Sequence, residues 1–280
     1  AMWKGTADAM AQMAAATGRV EAAKRYAELA AAITKAFGHA FVRAGGVVGN
    51  GSQAGYILAL QFNLVAEEAG TQAARRLADD IIRRGTLLST GFLGTPYSLD
   101  VLADAGQHKL VYDLLLRTSY PSWGYMIAHQ ATTIWERWNG DVGSRVMNSF
   151  NHYALGAVAG FMFRRIAGID PVDPGFSRFR FDPVYDRRMP RGGGRYESRV
   201  GLIATQWERG DDEFSVDIIV PANSRCTLHL PTSSIDRVRE GERAIARDKS
   251  FTLVDHSKRL VLDLNSGRYV FRVSQPDYSG

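Results

Sequence analysis

The stretch 119–153 holds the residue types from which a carbohydrate-handling site is built. Trp123, Trp135 and Trp138 crowd into it, three of the chain's five tryptophans. Glu136 stands between Trp135 and Trp138 and beside Arg137. An aromatic face gives the C–H surface of a sugar a place to stack. A carboxylate among aromatic rings is partly desolvated, while a neighbouring cation keeps it ionised. An ionised, positioned carboxylate is what a general base needs. Each residue also has a plainer role open to it. The tryptophans can be anchors that pack loops onto helices, and Glu136 can be a surface carboxylate paired with an arginine. Downstream, Asn151-His152-Tyr153 begins or precedes a helical pattern. His152 can act as acid, base or hydrogen-bond donor. It can equally be a structural residue at a helix start, with Asn148 or Ser149 as the cap.

Other chemistries find less support. Thr90-Gly91-Phe92-Leu93-Gly94-Thr95-Pro96-Tyr97 is a glycine-bearing turn into a helix, without the Lys and spacing of a phosphate loop. Gly192-Gly193-Gly194 reads as a flexible hairpin or linker between strands. Neither a Cys/His cluster nor an Asp-rich loop is present, so no metal and no cofactor are expected. The single cysteine, Cys226, reads as a small buried strand residue. Over 280 residues the net charge is +5, and the pairs Arg75-Arg76, Arg83-Arg84, Arg164-Arg165 and Arg187-Arg188 are scattered. Nucleic-acid proteins concentrate such charge on one face, so no nucleic-acid partner is expected. With 45% hydrophobic and 22% charged residues the composition is that of a globular protein. No uncharged apolar run reaches the roughly 18 residues of a membrane helix, which argues against a membrane partner. The chain opens on Ala1-Met2-Trp3 with no secretory pattern, so the expected location is cytoplasmic. That abrupt opening reads as cut from something longer.

These candidate residues need a scaffold, and proline placement outlines it. None of the nine prolines precedes Pro96, and seven lie after residue 170. Helix interiors exclude proline. Residues 6–16 and 18–37 are rich in strong helix formers. Val20, Ala23, Tyr26, Leu29, Ala30 and Ile33 recur at helical steps. Further helical patterns cover 52–68, 70–84, 97–105, 107–117 and 148–167, with Gly70, Gly85 and Gly106 as stops. The stretches 45–51, 86–96 and 119–147 read as loops, the last two long enough to carry function. After Pro171 the pattern alternates in short runs such as Phe214, Val216, Ile218 and Val220. That predicts an antiparallel β-sandwich. The expected domains are a helical one over 1–170 and a β-sandwich over 171–280.

Four ordered motifs closely resemble the bacterial α-L-rhamnosidases of glycoside hydrolase family 78. They are Ser89–Pro96, Tyr120–Met126, Ala131–Trp138 and Met147–Tyr153. The tail is similar to that family's C-terminal β-sandwich domain, through Tyr196-Glu197-Ser198, Gly201-Leu202-Ile203 and Val220-Pro221-Ala222-Asn223. The resemblance implies an (α/α)6 toroid that cleaves terminal α-L-rhamnose with inversion. Its partner would be a rhamnose-containing glycoside or oligosaccharide. The family's base Glu matches Glu136, and its substrate-contacting His matches His152. Trp123, Trp138 and Asn151 are the implied substrate-binding residues. An inverting pair of carboxylates stands roughly 6.5–9.5 Å apart.

The sequence departs from the family in three places. Gly140–Ser144 is shorter than the usual loop, Ala128 replaces a common polar residue, and no match to the general-acid motif is found. Asp8, Asp100 and Asp104 lack its surroundings and are not assigned. The helical part offers about six or seven helices at ordinary lengths, about half a twelve-helix toroid. The expectation is therefore the second half of a toroid plus its sandwich, holding the base without the acid. Two alternatives remain. One is a polysaccharide lyase on a helical toroid, using Asn151, His152 and Tyr153. The other is a non-catalytic sugar-binding fragment. Half a toroid would expose a wide apolar face, so two copies are expected to pair as a homodimer. Light scattering of the purified chain should then give twice the monomer mass; a stable monomer would contradict pairing.

Overall fold

A computed structural model describes residues 1–143, 146, 148–247, 251–255 and 259–278. Met147 of the fourth motif and Ser144 of the short loop lie outside them. The chain divides into two compact units, Ala1–Ala157 and Val158–Gly280. The helical stretch 158–166 groups with the second.

The first unit is helical. α1 (Met2–Ala16) and α2 (Val20–Phe41) pack on each other as a hairpin. The expected loop at 45–51 contains a small ribbon, β1 (Val42–Arg43) with β2 (Val47–Val48). α3 (Gln53–Gln61), α4 (Glu67–Arg83), α5 (Thr95–Asp104) and α6 (His108–Leu115) build the core. Ile57, Leu77, Ile81, Leu102, Val111 and Tyr112 are fully buried in it. Gly85 and Gly106 follow α4 and α5 in left-handed conformations, as helix stops require. Gly70 does not stop a helix. It lies in the first turn of α4, where Glu67 and Glu68 place negative charge against the helix dipole.

Two further expectations fail locally. α7 (Trp123–Ala128) forms inside the expected loop 119–147, with Ser122 Oγ accepting from Tyr125 N at 2.9 Å. The helix expected over 148–167 begins only at Tyr153. It runs as α8 (Tyr153–Gly156), α9 (Val158–Phe161) and a π-helical turn Met162–Ile166. Residues 148–152 form no helix, and their hydrogen bonds go to the 133–140 segment instead.

One buried amide positions the loop that leads to the site. Gln53 Nε2 donates to Asp80 Oδ2 at 3.0 Å and Leu87 O at 3.1 Å, and its Oε1 accepts from Ser89 N at 2.8 Å. Gln53 is 1% exposed, so losing any of these partners would strand a buried polar group.

The second unit carries two sheets. The first has β5 (Arg191–Ser198), β6 (Gly201–Arg209), β7 (Glu213–Val220), β9 (Val238–Glu240), β10 (Arg243–Ala244) and β13 (Gly267–Ser274), in the order β10-β9-β13-β7-β6-β5. The second has β3 (Asp170–Pro171), β4 (Arg178–Phe181), β8 (Arg225–Leu230), β11 (Thr252–Asp255) and β12 (Leu260–Leu264), in the order β11-β12-β8-β4-β3. Pairing is antiparallel except between β4 and β8, which run parallel. The alternating residues of β7 and β8 point inward as their pattern predicts, and Cys226 is fully buried. Gly192-Gly193-Gly194 is not a linker. It lies within β5, opposite Trp207, Gln206 and Thr205 of β6. A Cβ on Gly192 would fall 2.7 Å from the Trp207 ring, so the indole excludes any larger residue.

Charge is also buried in this unit. Asp182 pairs with Arg259 at 2.7 Å. Burial alone would raise the Asp182 pKa, but Arg259, His229, Arg165 and Arg180 together hold it below its ordinary value of 3.8. Desolvation lowers the pKa of His229 below 6.5, against the pull of Asp182 and with help from the three arginines. The folded state thus resists protonating His229. Its contribution to stability is complete above pH 6.5 and is lost as pH falls from there through the lower folded value. The Asp182 contribution is lost only below pH 3.8. Thermal unfolding followed against pH should show both phases, and His229→Gln should remove the upper one. An unchanged upper phase in that variant would contradict the assignment.

Candidate active site

The site is built by two non-helical segments clasped together, 133–140 and 148–152. His152 N donates to Ile134 O at 2.9 Å, and Glu136 N donates to Ser149 O at 2.9 Å. Thr133 Oγ1 donates to Phe150 O. The Glu136 side chain then folds back onto the same partner, Oε2 accepting from Ser149 N at 2.8 Å. Both main-chain polar groups of Ser149 are therefore occupied by Glu136. A carboxylate accepting a backbone N–H makes a stronger bond than a neutral acceptor. Oε1 receives no hydrogen bond from a described residue, and the side chain is half-buried.

The tryptophans frame this clasp. Trp123 and Trp138 meet edge to face, with ring centroids 5.0 Å apart. Trp123 Nε1 donates to Leu155 O at 2.8 Å, and Trp138 Nε1 donates to Thr90 O at 3.3 Å. Trp135 packs edge to face on Phe150 at 6.3 Å. All three are buried, Trp123 and Trp138 at 7% and 8% exposure. The indole N–H of Trp123 ties α7 to α8, and that of Trp138 ties the Glu136 segment to the Thr90 turn. The Thr90 end is itself fixed, by a 2.8 Å hydroxyl contact with Thr95 at the start of α5.

His152 is the N-cap of α8, a place expected for Asn148 or Ser149. Its Nδ1 accepts from Ala154 N at 3.1 Å. A ring nitrogen that accepts must carry its lone pair, so neutral His152 holds its proton on Nε2 and can donate there. The ring stacks on Tyr153 at 4.9 Å. Asn151 is exposed, and its backbone N donates to Ser149 Oγ at 3.3 Å.

Several contributors escape a reading of residue types. Ser149 is the main one, since its backbone does the work. Asp141 is another. Its carboxylate accepts from Tyr125 OH at 3.2 Å and pairs with His129 Nδ1 at 2.7 Å, tying the turn after Trp138 to α7. Desolvation and the Asp141 charge both raise the Tyr125 pKa. Gly140 lies against Trp135, where a Cβ would fall 2.9 Å from the indole. Gln130 ends α7 in a left-handed conformation, φ 60°, with Ala131 N donating to Met126 O at 3.0 Å. Among the described residues no group of three or more His, Cys, Asp or Glu side chains could hold a metal ion.

Helical hairpins carrying a clasped carboxylate, followed by a two-sheet β unit, match known proteins along nearly the whole chain. Residues 1–166 match the model of the bacterial alpha-L-rhamnosidase 6 hairpin glycosidase domain, and residues 168–244 that of the bacterial alpha-L-rhamnosidase C-terminal domain. The chain belongs to the bacterial alpha-L-rhamnosidase family. It is 33% identical over 279 residues to an alpha-L-rhamnosidase of Formosa agariphila, covering 97% of this chain and 30% of that protein. The crystal structure of Streptomyces avermitilis alpha-L-rhamnosidase complexed with L-rhamnose matches with TM-score 0.88 and 35% identity, over 97% of this chain and 26% of that one. An alpha-L-rhamnosidase from Dictyoglumus thermophilum matches with TM-score 0.88 and 32% identity, over 97% and 31%. The chain thus spans less than a third of the length of these relatives.

The left-handed Gln130 gives a direct check on this local geometry. A Cβ is disfavoured there, so Gln130→Gly should stabilise the first unit by about 1 kcal/mol. Thermal unfolding measures it, and a loss of similar size would contradict the assigned backbone.

Proposed function

We propose that the protein carrying this chain hydrolyses terminal α-L-rhamnosides with inversion, and that Glu136 is its general base. The observation that carries this is the Glu136 carboxylate: Ser149 N holds Oε2 at 2.8 Å, while Oε1 receives no hydrogen bond from a described residue. A base needs a fixed orientation and one open lone-pair site, and this arrangement supplies both. Membership of the family and the rhamnose complex of a relative support the substrate class.

In the reaction, Oε1 takes a proton from water as that water attacks the anomeric carbon. The water approaches on the face opposite the departing oxygen, so configuration inverts. A separate acid must protonate the leaving oxygen, and none of the described residues is assigned that role. His152 Nε2–H donates to a sugar hydroxyl, Asn151 offers its exposed amide to another, and the Trp123–Trp138 pair walls the pocket. A polysaccharide lyase would leave Glu136 idle, and the family does not favour it.

Glu136→Gln in the full-length protein is the test. The amide oxygen still accepts from Ser149 N, but the group cannot take a proton. Release of the aryl group from an aryl α-L-rhamnoside should slow by about 10²–10⁴, with the melting temperature little changed. Near-normal turnover in the variant would overturn the assignment.

A further inference from the structure

The helical unit also holds a groove that the clasp does not use. It has a volume of about 630 Å³ and opens between α3, α4 and the end of α5. Ala74 and Val101, both buried, give it an apolar floor. Gln61, Asn63, Thr71 and Arg75, all exposed, give it a polar rim. The side chains of Gln61, Asn63 and Arg75 hydrogen-bond to no described residue. Val101 and Asp104 lie toward the last turn of α5. The first residue of that helix, Thr95, contacts Thr90, which receives the Trp138 N–H. At 1.5 Å per residue the two ends of α5 stand about 14 Å apart, so the groove and the clasp are separate places.

Two of its lining residues go against local preference. Gly70 sits within α4, where glycine is a poor helix former. A Cβ there would meet only ordinary contacts, 3.6 Å from Val65 and 3.9 Å from Leu60, so packing does not demand the glycine. Its effect is to leave the groove open. Asn63 follows α3 in a left-handed conformation, φ 49°, which glycine adopts at least cost. Asparagine keeps an amide at the rim instead. An amide offers a donor and an acceptor side by side, which two neighbouring sugar hydroxyls can both use. Thr71 Oγ1 donates to Glu67 O at 3.2 Å and keeps its lone pairs for a ligand O–H. A carboxylate or phosphate would gain Arg75 but meet Asp104 in the same groove, so charge favours a neutral ligand. We propose that this groove is a second, non-catalytic binding site for a neutral sugar ring, with the apolar floor under its C–H face. The inference goes beyond the hydrolase reading and does not depend on Glu136.

Two substitutions in the full-length protein test it, with L-rhamnose as the neutral probe and D-galacturonate as the anionic one. Gly70→Met fills the groove with a helix-forming side chain. Asn63→Gly suits the left-handed backbone and removes only the amide, so it decides the matter should Gly70→Met lose its native circular dichroism. Equilibrium dialysis counts the bound probe per chain. The proposal expects Gly70→Met to bind one L-rhamnose fewer than the unsubstituted protein. It expects Asn63→Gly to weaken that same site about tenfold, the scale of one hydrogen bond to a ligand. Turnover of an aryl α-L-rhamnoside should stay unchanged in both, because neither residue belongs to the clasp. L-rhamnose binding unaltered in both variants would overturn the proposal. A groove-dependent site that takes D-galacturonate and not L-rhamnose would overturn it as well, by making the groove an anion site. If the unsubstituted protein releases no aryl group, the hydrolase reading fails, while the loss of L-rhamnose from the groove still decides this inference.

Discussion

The site depends on one reciprocal pairing. Glu136 N donates to Ser149 O, and Ser149 N donates back to the Glu136 carboxylate. A free glutamate side chain samples many rotamers, and ordering it costs up to about 2 kcal/mol. A charge-assisted bond to a main-chain N–H offsets that cost and leaves one orientation. The same pairing ties the non-helical residues 148–152 to 133–140, and the following helix starts only at Tyr153. The choice of His152 as helix cap follows from it, since Ser149 has its main-chain groups committed elsewhere.

The helical scaffold serves this clasp through a few buried polar links. Gln53 fixes the approach to Ser89, Thr90 receives the Trp138 N–H, and Trp123 reaches the end of α8 through Leu155 O. Each link joins segments far apart in sequence. The tryptophans are therefore rigid struts whose polar edges carry positional information, while their rings supply packing. Asp141 adds a last tie, holding the turn after Trp138 against α7 through Tyr125 and His129.

Much of this was legible in the sequence. The amphipathic steps of α2, the glycine stops after α4 and α5, and the alternation in β7 and β8 are local signals, and each element formed where its signal lay. The family was legible from four short motifs in order. What stayed hidden depended on contacts between distant residues. Gly192-Gly193-Gly194 looks like a linker until Trp207 is placed beneath it. Residues 148–152 look helical until the Glu136 segment claims their hydrogen bonds. α7 is too short for periodicity to show. The work of Ser149 is done by its backbone, which residue type cannot advertise, and the groove between α3, α4 and α5 exists only in three dimensions.

The clasp can be tested without any substrate. In an isotope-labelled chain, the Ser149 amide proton reports on the carboxylate it touches. The predicted result is a large downfield displacement of that resonance, smaller in Glu136→Gln, whose neutral amide oxygen accepts a weaker bond, and absent in Glu136→Ala. A Ser149 amide resonance indifferent to both substitutions would mean that the carboxylate is not held there, and the account of the site would be wrong.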